Sequence, residues 1–340
     1  MERDPMRVLV AIDGSAPSAT AIDLVAGVAW RPGTELIVAE AVESGAGLFG
    51  GSWPALALVE AKSLEADIRA EAERTVQEAL GRLARPGLNV DAVVLRGRPA
   101  GAIIDRARAM QADLIIVGSR GHGRIESMLL GSVSAELIDH APIPVLVARN
   151  PRMGRILLAW DGSPAASRAA EMVRTLPIFA GASVRVVTVA DIEVPWWTGF
   201  PQPGSAELMP IYLEAADASR SERDRLAREM TTRLQAAGLS AEADVREGDA
   251  ATQILAAASA ATSDLIVMGS HGRTGLAPLV LGSVARNVLQ HATCSVLVAR
   301  QGTPWSEPGA RSADQRLITT GGPDAPQTSG HHGRRGTRLP

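Results

Sequence analysis

The chain has 340 residues, 46% of them hydrophobic, which is enough for two ordinary domains with a substantial core and a tail. A formal net charge of −3 argues against a nucleic-acid-binding surface, and a single cysteine, Cys294, rules out a disulfide framework. No apolar stretch approaches the roughly 20 residues of a membrane span, and the first residues lack the apolar segment of a signal peptide. These features predict a cytoplasmic protein without nucleic-acid or membrane partners.

The first half of the chain alternates strand and helix patterns. Apolar runs predict five strands, at residues 7–12, 35–42, 88–96, 113–117 and 143–148. Between them, helices are predicted after a cap at Ser15 or Ser18, over residues 55–83, after Pro99 and after Ser132. Because parallel neighbours need a crossover helix, the fold class is α/β with a doubly wound parallel sheet. Ligands bind such sheets beyond the carboxyl ends of the strands, where the strand order reverses.

The second half repeats this pattern. Strands are predicted at residues 155–160, 183–190, 241–247, 264–268 and 295–299, with helices at 211–237 and 250–261. The tripeptide Asp13-Gly14-Ser15 returns as Asp161-Gly162-Ser163. A repeat of domain length predicts two tandem domains, residues 1–150 and 151–301, each with its own five-stranded parallel sheet. Residues 302–340 are poor in apolar side chains, which predicts a disordered C-terminal tail.

The most similar parts of the two halves are residues 113–149 and 264–300. They align without a gap, and 17 of 37 positions are identical. Each copy contains the spacing Gly-x2-Gly-x9-Gly-Ser. The residues are Gly118, Gly121, Gly131 and Ser132 in the first copy, and Gly269, Gly272, Gly282 and Ser283 in the second.

This spacing indicates a phosphate site in each half. Glycines let the main chain approach a phosphate and adopt unusual backbone angles, and a helix N-terminus adds unpaired N–H donors. Arg120, Arg124 and Arg273 are placed to neutralise charge. The alternative is that the glycines only form the turn between strand and helix. The P-loop and Rossmann glycine patterns are both absent.

Together these features resemble the universal stress protein family, which combines the Gly-x2-Gly-x9-Gly-[Ser/Thr] motif with an Asp after strand one and a DLIVMGS-type fourth strand. The resemblance covers residues 6–149 and 154–300 as a tandem pair. It implies five-stranded, Rossmann-like, nucleotide-binding sheets and ATP as the ligand. By position, it implies that Asp13 and Asp161 contact adenosine and that Ala41 and Val189 offer main-chain groups to adenine.

The resemblance also implies that the motif glycines, Ser132 and Ser283 hold the phosphates of ATP. Mg²⁺ is an expected companion of the triphosphate, although no protein ligand for it is visible. The two fifth strands are expected to pair within one chain as a pseudo-dimer, and a homodimer of two chains is a further expectation. The alternative for Asp13 and Asp161 is that each caps the following helix.

The sequence therefore favours an ATP-binding stress-response regulator or sensor with one site per repeat, acting on a protein partner that the sequence does not identify. It is not expected to be an enzyme. Two alternatives stay open: a slow ATPase or self-phosphorylating protein, with Ser132 or Ser283 as acceptor, and a scaffold that binds no nucleotide.

Several further side chains are candidates for ligand contacts. For His122 and His271 a solvated position in the loop is favoured, and for His140 and His291 a role in capping a helix end. Trp53, Trp196 and Trp197 either line the pocket or pack within their own loops.

Overall fold

The computed structural model describes residues 5–43, 55–121, 130–190, 205–272 and 281–300, and of residues 55–62 and 205–208 it describes the backbone only. Within these ranges the two halves have the same order of elements. The strands of the first repeat are β1 (Arg7–Ile12), β2 (Glu35–Val42), β3 (Asn89–Arg96), β4 (Leu114–Gly118) and β5 (Val145–Ala148), and its helices are α1 (Ala16–Gly27), α2 (Ala55–Leu83), α3 (Pro99–Ala109) and α4 (Ser132–His140).

The second repeat follows after a short link. Its strands are β6 (Arg155–Ala159), β7 (Ser183–Ala190), β8 (Ser240–Glu247), β9 (Leu265–Gly269) and β10 (Ser295–Ala299), and its helices are α5 (Pro164–Thr175), α6 (Ser205–Ala236), α7 (Ala250–Ala260) and α8 (Ser283–His291). A short 3-10 turn, Pro177–Phe179, follows α5.

Each repeat forms a five-stranded parallel sheet, and the strand order is β3-β2-β1-β4-β5 in the first and β8-β7-β6-β9-β10 in the second. This confirms the predicted α/β fold. The order reverses between β1 and β4, and between β6 and β9. Loops that leave these strands at their carboxyl ends diverge there, which opens a crevice in each repeat.

The two sheets join into one sheet of ten strands. Strand β5 pairs antiparallel with β10, with Leu146 opposite Leu297. Arg149, just beyond β5, donates from its Nη2 to the Leu289 carbonyl near the end of α8 over 2.6 Å. The predicted pairing of the fifth strands within one chain is therefore observed, and it makes one continuous sheet.

Helices cover both faces of this sheet. Buried residues of α1, α2, α5 and α6 pack on one face, in a core that contains Phe179 and Leu146. Residues of α3, α4, α7 and α8 pack on the other, around Val147 and Val296. Strands β4 and β9 are buried along their whole length. Because helices cover both of their faces, they have apolar residues in a continuous run.

Some element boundaries differ from the sequence prediction. Helix α6 begins at Ser205 and contains Pro210, which the prediction placed just before the helix. A proline near a helix start removes only one N–H group that would otherwise be bonded, so the helix continues through it.

Candidate functional site

A cavity of about 370 Å³ lies where the strand order of the first repeat reverses. It opens between the carboxyl ends of β1 and β4, above the N-terminus of α4. All the predicted site residues of this repeat line it together: Asp13, Ala41, Gly118, Gly121, Gly131 and Ser132.

The second repeat has a cavity of about 210 Å³ at the equivalent place. It is lined by the equivalent predicted residues: Asp161, Val189, Gly269, Gly272, Gly282 and Ser283. Two stretches 100 residues or more apart in sequence meet at each cavity, so the fold brings together the residues that the repeated motifs contain. We refer to these as the first and second cavity.

Asp13 is held in a tight turn after β1. Its Oδ1 accepts from the Ser15 main-chain N–H over 3.0 Å and from the Ser15 Oγ over 2.6 Å. Gly14 between them has φ of 76°, a left-handed conformation that glycine adopts without strain. The carboxylate therefore has a fixed position at the mouth of the crevice.

Ser15, and not Asp13, caps helix α1, because its Oγ accepts from the Ser18 N–H over 3.3 Å. The alternative in which Asp13 is a helix cap is therefore wrong, and capping by Ser15 is confirmed. Ser15 Oγ also lies 3.4 Å from the Arg120 carbonyl, which ties the turn to the glycine loop.

The second repeat has the same turn. Ser163 donates its N–H to Asp161 Oδ1 over 2.9 Å and caps α5 through the Ala166 N–H at 3.1 Å. Gly162 has φ of 80°, and Ser163 Oγ lies 3.4 Å from the His271 carbonyl. Sequence reasoning did not assign the two serines to the site, although the repeated Asp-Gly-Ser tripeptide was the available signal.

The first glycine of each motif is required for packing between a strand and a helix. A Cβ on Gly118 would lie 2.7 Å from the carbonyl carbon of Pro17 in α1. A Cβ on Gly269 would lie 2.7 Å from the equivalent atom of Ala165 in α5. These distances are too short for any side chain, so packing of the strand end against the helix requires glycine here.

The second glycine lies against the aspartate. A Cβ on Gly121 would be 2.3 Å from Asp13 Oδ2, and one on Gly272 would be 3.1 Å from Asp161 Oδ2. Close approach of the main chain to the carboxylate is therefore possible only without a side chain. The aspartate carboxylate and the main chain of the glycine loop therefore form one surface in each repeat.

The third glycine precedes a helix that has no side-chain cap. Gly131 and Gly282 are the N-cap residues of α4 and α8, with φ of −76° and −64°. The expectation that the motif glycines adopt unusual backbone angles is wrong for these two, which have ordinary extended conformations. What they supply is an unobstructed main chain.

The first turn of α4 presents free donors to the first cavity. The Ala135 N–H bonds to the Gly131 carbonyl over 2.9 Å, so the helical bonding begins there. The three preceding N–H groups, of Ser132, Val133 and Ser134, have no partner within the helix, and all three residues line the cavity. Unpaired N–H groups and the positive end of the helix dipole favour an anion at this point.

Ala41 and Val189 lie where a strand extends past its neighbour. Strand β2 pairs with β1 only as far as Glu40, whereas its pairing with β3 continues to Val42. One main-chain edge of Ala41 therefore has no strand beside it and borders the cavity. Val189 in β7 has the same relation to β6, whose pairing ends at Val187.

One lining position differs in charge between the repeats. Two residues after β4 and β9, the first repeat has Arg120 and the second has His271, and each lines its cavity. His271 is buried, so the expectation of a solvated side chain is wrong for it. Its Nδ1 lies 3.0 Å from Ser270 Oγ. Burial lowers the pKa of His271, and the charge of Arg300 lowers it further, so the ring is neutral near pH 7.

The remaining candidates are placed as follows. His140 and His291 contact the carbonyls of Glu136 and Asn287 four residues before them, at 3.1 and 2.9 Å, as expected of helix-end residues. Outside the described residues lie Arg124, Arg273, His122, Trp53, Trp196, Trp197 and the tail 302–340.

Neither a metal-binding cluster nor a membrane-spanning helix occurs among the described residues. No group of three or more His, Cys, Asp or Glu side chains suited to a metal ion is found among them. Within the same ranges, no helix has both the length and the apolar character that crossing a bilayer requires.

Known proteins with similar sequences and folds are universal stress proteins. A universal stress protein of Mycolicibacterium smegmatis is 31% identical over 238 residues, which are 68% of this chain and 74% of that protein. One from Thermus aquaticus is 37% identical over 142 residues, 42% of this chain and 97% of its own length. A universal stress protein structure from Archaeoglobus fulgidus matches 87% of this chain and 98% of its own with a TM-score of 0.60, and its 20% identity supports the fold alone.

The family model described as the universal stress protein family matches twice, over residues 5–149 and 153–300. The two matches coincide with the two repeats, each with its own five-stranded sheet and its own cavity. The chain thus belongs to the universal stress protein family, as a member with two family units in tandem.

Proposed function

We propose that each repeat binds one adenine nucleotide, with ATP as the principal ligand, and that the protein is a stress-response regulator whose conformation reports nucleotide occupancy to a partner. The observation that carries this proposal is the N-terminus of α4 in the first cavity. Three N–H groups without helical partners, the glycine loop and the fixed Asp13 carboxylate face one space of about 370 Å³. That volume lies in the range of small-molecule sites, roughly 300–1,000 Å³.

The lining residues of the cavity suit both the phosphate part and the nucleoside part of a nucleotide. Phosphate oxygens fit the unpaired N–H groups before Ala135, and a carboxylate such as Asp13 is a natural acceptor for the ribose hydroxyl groups. The open main-chain edge at Ala41 offers a donor and an acceptor to the edge of a base. Mg²⁺ would accompany the triphosphate and neutralise part of its charge.

The proposed role is regulatory and not that of a fast enzyme. Rapid phosphoryl transfer needs a residue that positions the nucleophile and cations that neutralise the developing charge. Asp13 is the carboxylate among the described lining residues of the first cavity, and its Oδ1 is engaged by Ser15. Slow hydrolysis, or transfer to Ser132 or Ser283, is the alternative that a turnover assay would reveal.

Nucleotide binding would act by ordering the glycine loops. A ligand that binds only the folded form stabilises it by about 2.7 kcal/mol at a hundredfold excess over its dissociation constant. Such a difference is sufficient to shift a local equilibrium or the formation of a homodimer, and a cytoplasmic partner would sense that shift.

The test is calorimetric titration of the intact chain with ATP, with and without Mg²⁺. We expect saturable binding with about two sites, and one site lost or weakened about tenfold or more in Asp13→Ala and in Asp161→Ala, since a hydrogen bond to a charged group contributes about 1.5–3 kcal/mol. Asp105→Ala and Asp217→Ala, which change exposed carboxylates in ion pairs away from the cavities, serve as matched controls.

No saturation at millimolar ATP would refute the proposal. Phosphate release at a rate of one per second or faster, abolished by Asp13→Ala, would instead place the protein among enzymes with typical kinase turnover, about 1–100 per second. Retained ATP in gently purified protein, detected by mass spectrometry, would support the proposal directly.

A further inference from the structure

The two cavities occupy equivalent places but differ in size, at about 370 and about 210 Å³. The difference has a cause in the sequence, because three wall positions carry larger side chains in the second repeat. Trp160, Val189 and Met268 line the second cavity where Ile12, Ala41 and Val117 line the first.

The cavities also differ in charge at their mouths. Arg120 lines the first, and its guanidinium group is a cation. His271 lines the second at the equivalent position, and its Nε2 is buried without a hydrogen-bond partner in the described structure. Each cavity has one aspartate, so the described lining of the first is neutral overall and that of the second is negative.

Among the described residues, the charged groups behind the linings do not cancel this difference. Arg149 acts on Arg120 in the first repeat, and Arg300 acts on His271 in the second, so these two arginines are equivalent. Arg223 of α6 contacts the main-chain carbonyl of Asp161 over 3.4 Å and does not line the cavity.

On the basis of the nucleotide sites proposed above, we propose that the cavities select different adenine nucleotides. The first favours the triphosphate, and the second favours a nucleotide with fewer phosphates, such as AMP. Two differences determine which nucleotide is preferred. One is the presence of Arg120 in the first cavity and His271 in the second, and the other is the larger side chains that line the second cavity. A more highly charged and longer ligand gains most from the added cation and the greater volume of the first cavity.

The test isolates each cavity in the full-length chain. Val189→Phe places a ring in the second cavity and leaves the first open, and Ala41→Phe does the reverse. Each variant is titrated with ATP and with AMP by calorimetry, after circular dichroism has confirmed its fold. We expect the ratio of ATP to AMP affinity to be at least tenfold higher for the first cavity than for the second.

Exchange of the single charged position then tests its contribution. Arg120→His in the Val189→Phe background should lower the preference for ATP by about fivefold to tenfold, and the effect should weaken in high salt. His271→Arg in the Ala41→Phe background should raise it by a similar factor. If His271→Arg does not fold, wild-type titration still separates the sites, since ATP and AMP should saturate them in opposite order.

The outcomes distinguish the two proposals. Equal ATP to AMP ratios in both isolated cavities, unchanged by Arg120→His, would overturn this inference and leave the nucleotide sites intact. Failure of the wild-type chain to bind either nucleotide would overturn both.

Discussion

At the scale of single residues, the buried imidazole of His271 has a consequence for stability. Burial and the charge of Arg300 lower its pKa, so the folded chain resists protonation there. Among the described residues, the Ser270 hydroxyl lies beside this ring and the Asp161 carboxylate lines the same cavity, while Asp139 acts on Arg300 from α4. The unfolded chain binds the proton near pH 6.5, so it binds more protons than the folded chain below that pH.

We therefore expect this contribution to stability to be complete above about pH 6.5 and to decline as the pH falls through and below that value. His271→Gln should flatten the decline in urea midpoint between pH 7.5 and pH 5.5, because glutamine does not titrate. His291→Gln changes an exposed histidine at the end of α8 in the same repeat and is the control. Parallel curves for the wild type and His271→Gln would show that folding does not change the pKa of the ring, which would contradict the prediction.

At the scale of elements, β4 and β9 each end in a glycine that packs against the backbone of a helix, α1 or α5. Gly118→Ala would bring a Cβ within 2.8 Å of the Pro17 carbonyl oxygen and the Ser18 nitrogen, both in the backbone of α1. Backbone atoms in a packed layer cannot move away as a flexible side chain can, so overpacking should cost about 1–3 kcal/mol. Urea denaturation monitored by circular dichroism measures this loss.

A matched glycine provides the control for that substitution. Gly101 lies in helix α3, and a Cβ there would meet nothing within 4 Å. Gly101→Ala should therefore raise stability by about 0.5–1 kcal/mol, because alanine has the higher helix propensity. A loss of stability from both substitutions, or from neither, would contradict the packing explanation for Gly118.

The order and type of the elements were predictable, because apolar runs and helical spacing depend on local sequence. The proximity of Asp13 and Gly121 was also predictable, since both residues follow parallel strands whose carboxyl ends lie at one edge of the sheet. The start of α6 before Pro210 and the burial of His271 were not. These depend on contacts between distant segments, which local patterns do not record.

At the scale of the whole molecule, the antiparallel pairing of β5 with β10 gives the chain one sheet and cores that run through both repeats. Arg149 strengthens the junction, because it reaches from the first repeat to carbonyls of Leu289 and Cys294 in the second. Burial lowers the pKa of Arg149 to about 10, which leaves it charged near pH 7 at the C-terminal end of α8. A cation there is favoured by the helix dipole.

This continuity predicts that the repeats unfold together. Leu146 is fully buried and lies opposite Leu297 across the junction, so Leu146→Ala should cost about 2–5 kcal/mol. Scanning calorimetry should show one transition for the wild type and one transition, moved to lower temperature, for Leu146→Ala. Leu213→Ala, at an exposed position of α6, should leave the transition within about a degree, since exposed substitutions seldom exceed 0.5 kcal/mol.

Two transitions, of which only one moves in Leu146→Ala, would mean that the repeats are independent units that merely share an edge. A single transition has a functional consequence, because a ligand that stabilises one repeat must then raise the unfolding temperature of both. Ligand binding at one cavity would thus also stabilise the repeat that holds the other cavity, through the shared sheet. The unfolding of Asp13→Ala in the presence of ATP measures this directly, since its second cavity alone should still shift the single transition upward.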